Sequence, residues 1–98
     1  MTQDSKSQQL IELEKKHGSF NYAPLPVVFS RGRGVHLWDA EGKEYLDFMS
    51  GFSAVSQGHC HPRIVKAIQE QAATLTLVSR AAYSDQLGPL AKYATELF

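Results

Sequence analysis

Three short apolar runs, each closed by a Gly- or Asp-containing turn, constrain this chain most. They are Val27-Val28-Phe29, Val35-His36-Leu37-Trp38 and Lys43-Glu44-Tyr45-Leu46-Asp47-Phe48. Between them lie Ser30-Arg31-Gly32-Arg33-Gly34 and Asp39-Ala40-Glu41-Gly42. β-Branched and aromatic residues bounded by such turns read as strands. The connections are too short for crossover helices, so the strands form a small antiparallel meander. Asp39 to Gly42 fits a type I turn with Gly42 in the left-handed position after it. Just upstream, Pro24 and Pro26 forbid a helix and hold Asn21 to Pro26 extended.

The flanks are helical. Ser5 to His17 reads as a polar helix with a small apolar patch at Leu10, Ile11 and Leu13, and Gly18 is expected to end it in a left-handed conformation. Ser50 to His59 follows neither regular period and is expected to be a long structured loop. Pro62 opens a helix, because its missing N–H costs nothing in a first turn. Ile64, Ile68, Ala72 and Leu75 share one face of that helix. A second helix is expected from about Ser84, with Ser84 as N-cap, Asp85 behind it and Leu87, Leu90, Ala94 and Leu97 as its stripe. The pattern runs to Phe98 without a stop signal, which reads as a fragment.

Ten basic and ten acidic residues cancel. The chain therefore lacks the broad field that gathers nucleic acid or an anionic membrane surface. It has no apolar run of spanning length. The polar N-terminus, with Asp4 and no arginine, resembles neither a secretory signal nor a transit peptide, so a cytoplasmic location is expected. One cysteine, Cys60, excludes an internal disulfide.

Arg31-Gly32-Arg33-Gly34 lies between strand-like runs rather than at the start of a helix, so it is a flexible hairpin connection and not a phosphate loop. His59-Cys60-His61 could suggest zinc, but adjacent residues do not converge on one point and no second cluster is near. Cys60 lacks an arranged base and orienting partner for nucleophilic catalysis. The run is read as a structural turn before the helix, its histidines capping backbone groups. Tyr22, Phe52 and Tyr83 are aromatic residues near loops, for which packing is the default role. Read on residues alone, the chain is an α+β segment with no complete catalytic constellation.

The order of motifs adds more. Leu37-Trp38-Asp39, Glu41-Gly42-Lys43, Tyr45-Leu46-Asp47-Phe48 and Gly58-His59-Cys60-His61-Pro62 resemble the class III pyridoxal-phosphate aminotransferases. Asn21-Tyr22-Ala23-Pro24-Leu25-Pro26-Val27, Ser53-Ala54-Val55-Ser56-Gln57-Gly58-His59 and Leu75-Thr76-Leu77-Val78-Ser79-Arg80-Ala81 resemble the ornithine aminotransferase branch of that family. The resemblance runs from about Ser19 to Phe98.

It implies residues 1–18 as a polar helix or arm and 19–98 as the N-terminal part of the small domain of a type I aminotransferase fold, without the large cofactor-binding domain. It further implies a homodimeric enzyme that uses pyridoxal 5'-phosphate to move the δ-amino group of ornithine to 2-oxoglutarate. The products are glutamate and a semialdehyde that cyclises to pyrroline-5-carboxylate, a reaction of arginine and ornithine catabolism and of proline biosynthesis. The cofactor would carry the chemistry. None of Lys6, Lys15, Lys16, Lys43, Lys66 or Lys92 matches the lysine that binds it covalently, so this chain is expected to hold no catalytic, cofactor-binding or metal residue and to be inactive alone.

Two substrate-binding positions carry over. Tyr22 matches a tyrosine that contacts the α-amino end of ornithine. Phe52 matches a position usually held by tyrosine, where the ring orients the substrate; here the hydroxyl is missing. The alternatives are a parent enzyme acting on 4-aminobutyrate or acetylornithine, or a truncated, non-catalytic partner of a full-length subunit.

Overall fold

The computed structural model describes residues 5–19 and 21–98. Residues 1–4, on which the reading of the N-terminus as free of a targeting signal largely falls, lie outside the described residues, as does Phe20. The elements follow the order α1 (Lys6–His17), β1 (Phe29–Arg33), β2 (His36–Asp39), β3 (Glu44–Leu46), α2 (Ser50–Ser53), α3 (Pro62–Thr74) and α4 (Leu87–Leu97). This is the expected α+β arrangement, with one short turn of helix added. The chain divides into two compact units, residues 1–62 and 63–98.

In the first unit the strands form one antiparallel sheet, β1-β2-β3. The Arg31–Arg33 segment does not connect strands; it is the second half of β1. Gly32 pairs with Leu37 and Arg33 with His36, leaving Gly34 and Val35 as a two-residue turn. Gly34 has φ of +59°, and a left-handed residue in this place matches the turn to the twist of the strands. A bulge at Ser30 shifts the register between Phe29 and Arg31, and the Ser30 hydroxyl donates to the Asp39 carbonyl at 3.1 Å.

The second hairpin is built around Asp39, the buried polar residue of the described chain at 8% exposure. Its Oδ1 accepts from the N–H groups of Glu41 (3.0 Å) and Lys43 (2.8 Å), and its Oδ2 from the Tyr45 hydroxyl (3.0 Å). Burial opposes ionisation of Asp39, but the donors from Lys43, Tyr45 and Glu41, with the Lys43 charge, outweigh it and hold the carboxyl below its ordinary range. The same contact pushes the Tyr45 phenol upward. Gly42 closes the turn with φ of +89°, as the Asp39–Gly42 spacing required.

Glu41 also ties α1 to this hairpin: the Ser7 N–H donates to its Oε1 at 2.7 Å and the Ser7 hydroxyl to its Oε2. The hydroxyl bond comes first among the contacts that lower the Glu41 carboxyl. A carboxylate at a helix N-terminus satisfies orphan donors and the helix dipole together. Ser5 caps the helix by accepting from the Gln8 N–H at 3.1 Å. At the far end Gly18 is extended rather than left-handed, with φ of −91° and ψ of 177°. Glycine is required there for a different reason: a Cβ would lie 2.7 Å from the Glu14 carbonyl oxygen.

The second unit holds most of α3 and all of α4. Pro62 is the first residue of α3, as expected. α4 starts at Leu87, two residues later than Ser84 as N-cap implied. Pro89 explains the delay, because a helix begun at Asp85 would need a Pro89 N–H to donate to the Asp85 carbonyl. Ser84 still serves the start, accepting from the N–H of Leu87 at 3.4 Å. The apolar stripes are uncovered: Ile68 is 62% exposed and Leu90 62%. Among the described residues no apolar side chain is buried. Local hydrogen bonds, rather than a core, therefore define these units as described. No described helix is long and apolar enough to cross a membrane.

A Cβ on Gly42 would meet nothing within 4 Å, so replacing it tests backbone conformation alone. Gly42→Ala is expected to cost about 1–2 kcal/mol, and Gly42→Asn distinctly less, because asparagine tolerates the left-handed region. Urea unfolding of both variants measures this; equal losses would refute the assignment.

Candidate functional site

The site is best built from Gly34 outward. Gly34 and His59 form an isolated antiparallel bridge. The Gly34 N–H donates to the His59 carbonyl at 2.9 Å, and the His59 N–H to the Gly34 carbonyl at 2.8 Å. Glycine is needed on both sides of this crossing. A Cβ on Gly32 would sit 2.9 Å from Cγ of His59, and one on Gly58 would sit 3.1 Å from Cα of Gly34. Gly32 and Gly34 in β1 and its turn thus receive the Gly58-His59 segment, two motifs that looked unrelated along the chain.

The His59 ring does not cap a backbone group, as had been expected. Its Nε2 donates to Oδ2 of Asp47 at 2.6 Å, with the two side chains only 22% and 8% exposed. A carboxylate is the stronger acceptor for an imidazole N–H. The other oxygen of Asp47 accepts from the N–H groups of Met49 (3.0 Å) and Ser50 (2.9 Å). The Ser50 N–H, the His59 ring and the Met49 N–H together outweigh burial and hold the Asp47 carboxyl below its ordinary range. The sequence names both residues but gives no sign of their pairing, since a side-chain pair of this kind has no local periodic signal.

Immediately after this anchor comes α2. The expected irregular loop contains a single turn of helix of unusual hand. Ser50, Gly51, Phe52 and Ser53 have φ of 51°, 59°, 56° and 71°. Left-handed backbone costs about 1–2 kcal/mol for each non-glycine residue, so such a turn persists only where its surroundings impose it. Bonds from Val55 N–H to the Ser50 carbonyl (2.9 Å) and from Ser53 N–H to the Met49 carbonyl (3.2 Å) close it. Phe52 projects from this turn at 79% exposure.

Tyr22 lies elsewhere, in the extended segment ahead of β1. It is 72% exposed. With Ile11, Glu14 and Lys15 of α1 and Pro24 to Val28 it lines a groove of about 580 Å³. Among the described residues no hydrogen bond or ring contact joins Tyr22 to Phe52. Neither ring is packed, nor is that of Tyr83, which is 91% exposed and has the Arg80 guanidinium 5.8 Å from its centroid.

Cys60 is exposed and has φ of +53°. No group of three or more His, Cys, Asp or Glu among the described residues could hold a metal ion. The lysines stand at the surface: Lys15 near Glu12 (3.8 Å), Lys66 near Glu70 (3.7 Å), Lys92 near Glu96 (4.0 Å) and Lys43 over the Tyr45 ring. None is desolvated as an amine needs to be to bind a carbonyl cofactor.

Comparison with known proteins identifies the relatives of this arrangement. The aminotransferase class-III family matches residues 18–98. A protein of Saccharomyces cerevisiae named ornithine aminotransferase is 59% identical over 94% of the chain, and a Caenorhabditis elegans protein named probable ornithine aminotransferase, mitochondrial, is 56% identical over the same share. The chain spans about a fifth of these relatives, 22% of each. Among solved structures, Plasmodium falciparum ornithine delta-aminotransferase superposes with a TM-score of 0.92 at 48% identity, covering 96% of this chain and 24% of that one. Acetylornithine aminotransferase from Elizabethkingia anophelis gives 0.91 at 55% identity, with the same coverage of both chains.

The mitochondrial name of the C. elegans relative, shared by those of Rattus norvegicus and Arabidopsis thaliana, overturns the cytoplasmic location expected from the first residues. The folded segment is common to proteins so named and carries no physical mark of compartment.

The lowered Asp47 carboxyl fixes the sign of a pH effect. Its contribution to stability is full above the ordinary carboxylate value of about 3.9 and is lost as pH falls below it through the depressed folded value. Acid unfolding followed by circular dichroism is expected to steepen in that window, and Asp47→Asn to flatten it. An unchanged acid limb in the variant would count against the pairing.

Proposed function

Because the chain belongs to the class-III aminotransferase family, we propose that it is a segment of an ornithine δ-aminotransferase and contributes substrate contacts to that enzyme. The observation that carries this reading is identity above 55% to proteins named ornithine aminotransferase across almost the whole chain. The whole protein then moves the δ-amino group of ornithine to 2-oxoglutarate, giving glutamate and a semialdehyde that cyclises to pyrroline-5-carboxylate, and it works as a homodimer. Such a reaction serves ornithine breakdown and proline synthesis alike.

Pyridoxal 5'-phosphate is the cofactor of the whole enzyme, where it supplies the electron sink for breaking the bonds to the amine-bearing carbon. The residues present here do not fit it. The described lysines are surface groups, and Lys15, Lys66 and Lys92 lie near carboxylates. No cofactor step is therefore assigned to this chain.

Its own residues bind and orient. The Tyr22 phenol accepts a hydrogen bond from the α-ammonium of the substrate, while its ring walls the groove beside Pro24 to Val28. The exposed Phe52 ring offers an apolar face to the methylene chain of the substrate. Lacking a hydroxyl, Phe52 sets shape without adding a polar demand.

A second reading has one observation in its favour. The acetylornithine enzyme of E. anophelis is 55% identical to this chain, and an apolar Phe52 is compatible with an acylated substrate. A panel of ornithine, N-acetylornithine and 4-aminobutyrate, assayed with the full-length protein, separates the two. Ornithine is expected to give the highest kcat/KM, and a clear preference for N-acetylornithine would reverse the assignment. Tyr22→Phe is expected to lower kcat/KM for ornithine by about 10–100-fold, the worth of one hydrogen bond to a charged group.

A further inference from the structure

Asp47 and His59 have no role in the function proposed above, yet they are the best-anchored polar pair near Phe52. We infer that the Asp47–His59 pair is a positioning device that fixes the direction of the Phe52 ring and thereby the placing of the substrate chain. The inference rests on the reading of Phe52 as a substrate contact and goes beyond it.

The geometry forms one continuous series. The His59 backbone is held on both sides by Gly34. Its ring is seated where Gly32 leaves room; a Cβ there would approach within 2.9 Å. Nε2 of that ring occupies Oδ2 of Asp47. Oδ1 then faces the N–H groups of Met49 and Ser50. Ser50 opens the left-handed turn that carries Phe52, and Met49 directly precedes it.

A carboxylate held at both oxygens cannot rotate about its Cβ–Cγ bond. Without His59 it can, and the two N–H groups lose a fixed acceptor. Phe52 itself is 79% exposed, so side-chain packing in this segment does not set its direction. The backbone of α2 does, and that backbone is left-handed, a conformation with no local preference to return to once its anchor loosens.

The test uses the full-length, cofactor-loaded enzyme with ornithine as amino donor. His59→Ala is expected to raise KM for ornithine by about tenfold, the scale of a small misplacement of a binding group, with kcat changed less than about twofold. His59→Gln, whose side-chain amide can donate to Asp47, is expected to restore most of the loss. In a Phe52→Ala background, the same His59→Ala change is expected to alter KM by less than about twofold, because the two residues act through one contact.

Equal rises in KM in both backgrounds overturn the inference. An unchanged KM in His59→Ala, where Phe52→Ala alone raises it, overturns the positioning role and leaves Phe52 as a contact. An unchanged KM in Phe52→Ala removes the reading of Phe52 itself. Asp47→Ala supplies a second route to the same cycle if His59→Ala is insoluble. Loss of soluble protein in both makes the pair a folding device and also overturns the inference.

Discussion

The crossing of His59 over Gly34 is the constraint on which the rest of the first unit depends. Two backbone hydrogen bonds, 2.8 and 2.9 Å long, join residues far apart in sequence. They bring the loop that precedes α3 onto the first hairpin. Backbone groups at such a crossing need partners if they leave water, and they find them in each other. The side chain of His59 then does separate work, since its ring reaches Asp47. One residue thus ties together the first hairpin, the end of β3 and the entry to α2.

Asp39 plays a comparable part in the second hairpin. It collects two N–H groups and a phenol on one carboxylate. Neighbouring Glu41 takes the first turn of α1. Both acids gather more than one donor onto one side chain. Charge-assisted hydrogen bonds are directional and stronger than neutral ones, so a few of them position elements that apolar burial does not. The ring contacts cross the sheet: Phe29 of β1 meets Tyr45 of β3 edge-on at 5.4 Å, and the Arg31 guanidinium stacks 3.9 Å above its register partner Trp38.

Much of the fold was legible because its signals are local. Gly42 after Asp39 reports a turn directly, and Pro62 reports a helix start. The departures each have a local cause that competes with the rule used. Pro89 delays α4 past Ser84. Gly18 answers to the Glu14 carbonyl rather than to φ. Gly32 lies between two strand-like runs and so reads as part of a connection, but in β1 it makes room for His59. The left-handed turn at Ser50 to Ser53 has no sequence signature, because only one of its residues is glycine. Its first residue, Ser50, donates its N–H to Asp47.

The sequence by itself determined the family, the antiparallel meander and the two later helices. These follow from motif order and from preferences that act over a few residues. Only the tertiary structure decided what the Gly-His-Cys-His-Pro run does. Its first histidine is a cross-link to Gly34 and Asp47. It also decided that Phe52 stands on left-handed backbone. The physical reasons differ: the first is set by bonds between residues 12 or more apart, as with His59 and Asp47, whose meeting no local pattern of residue types encodes, and the second by short-range bonds that close a turn the types of Ser50, Phe52 and Ser53 do not favour.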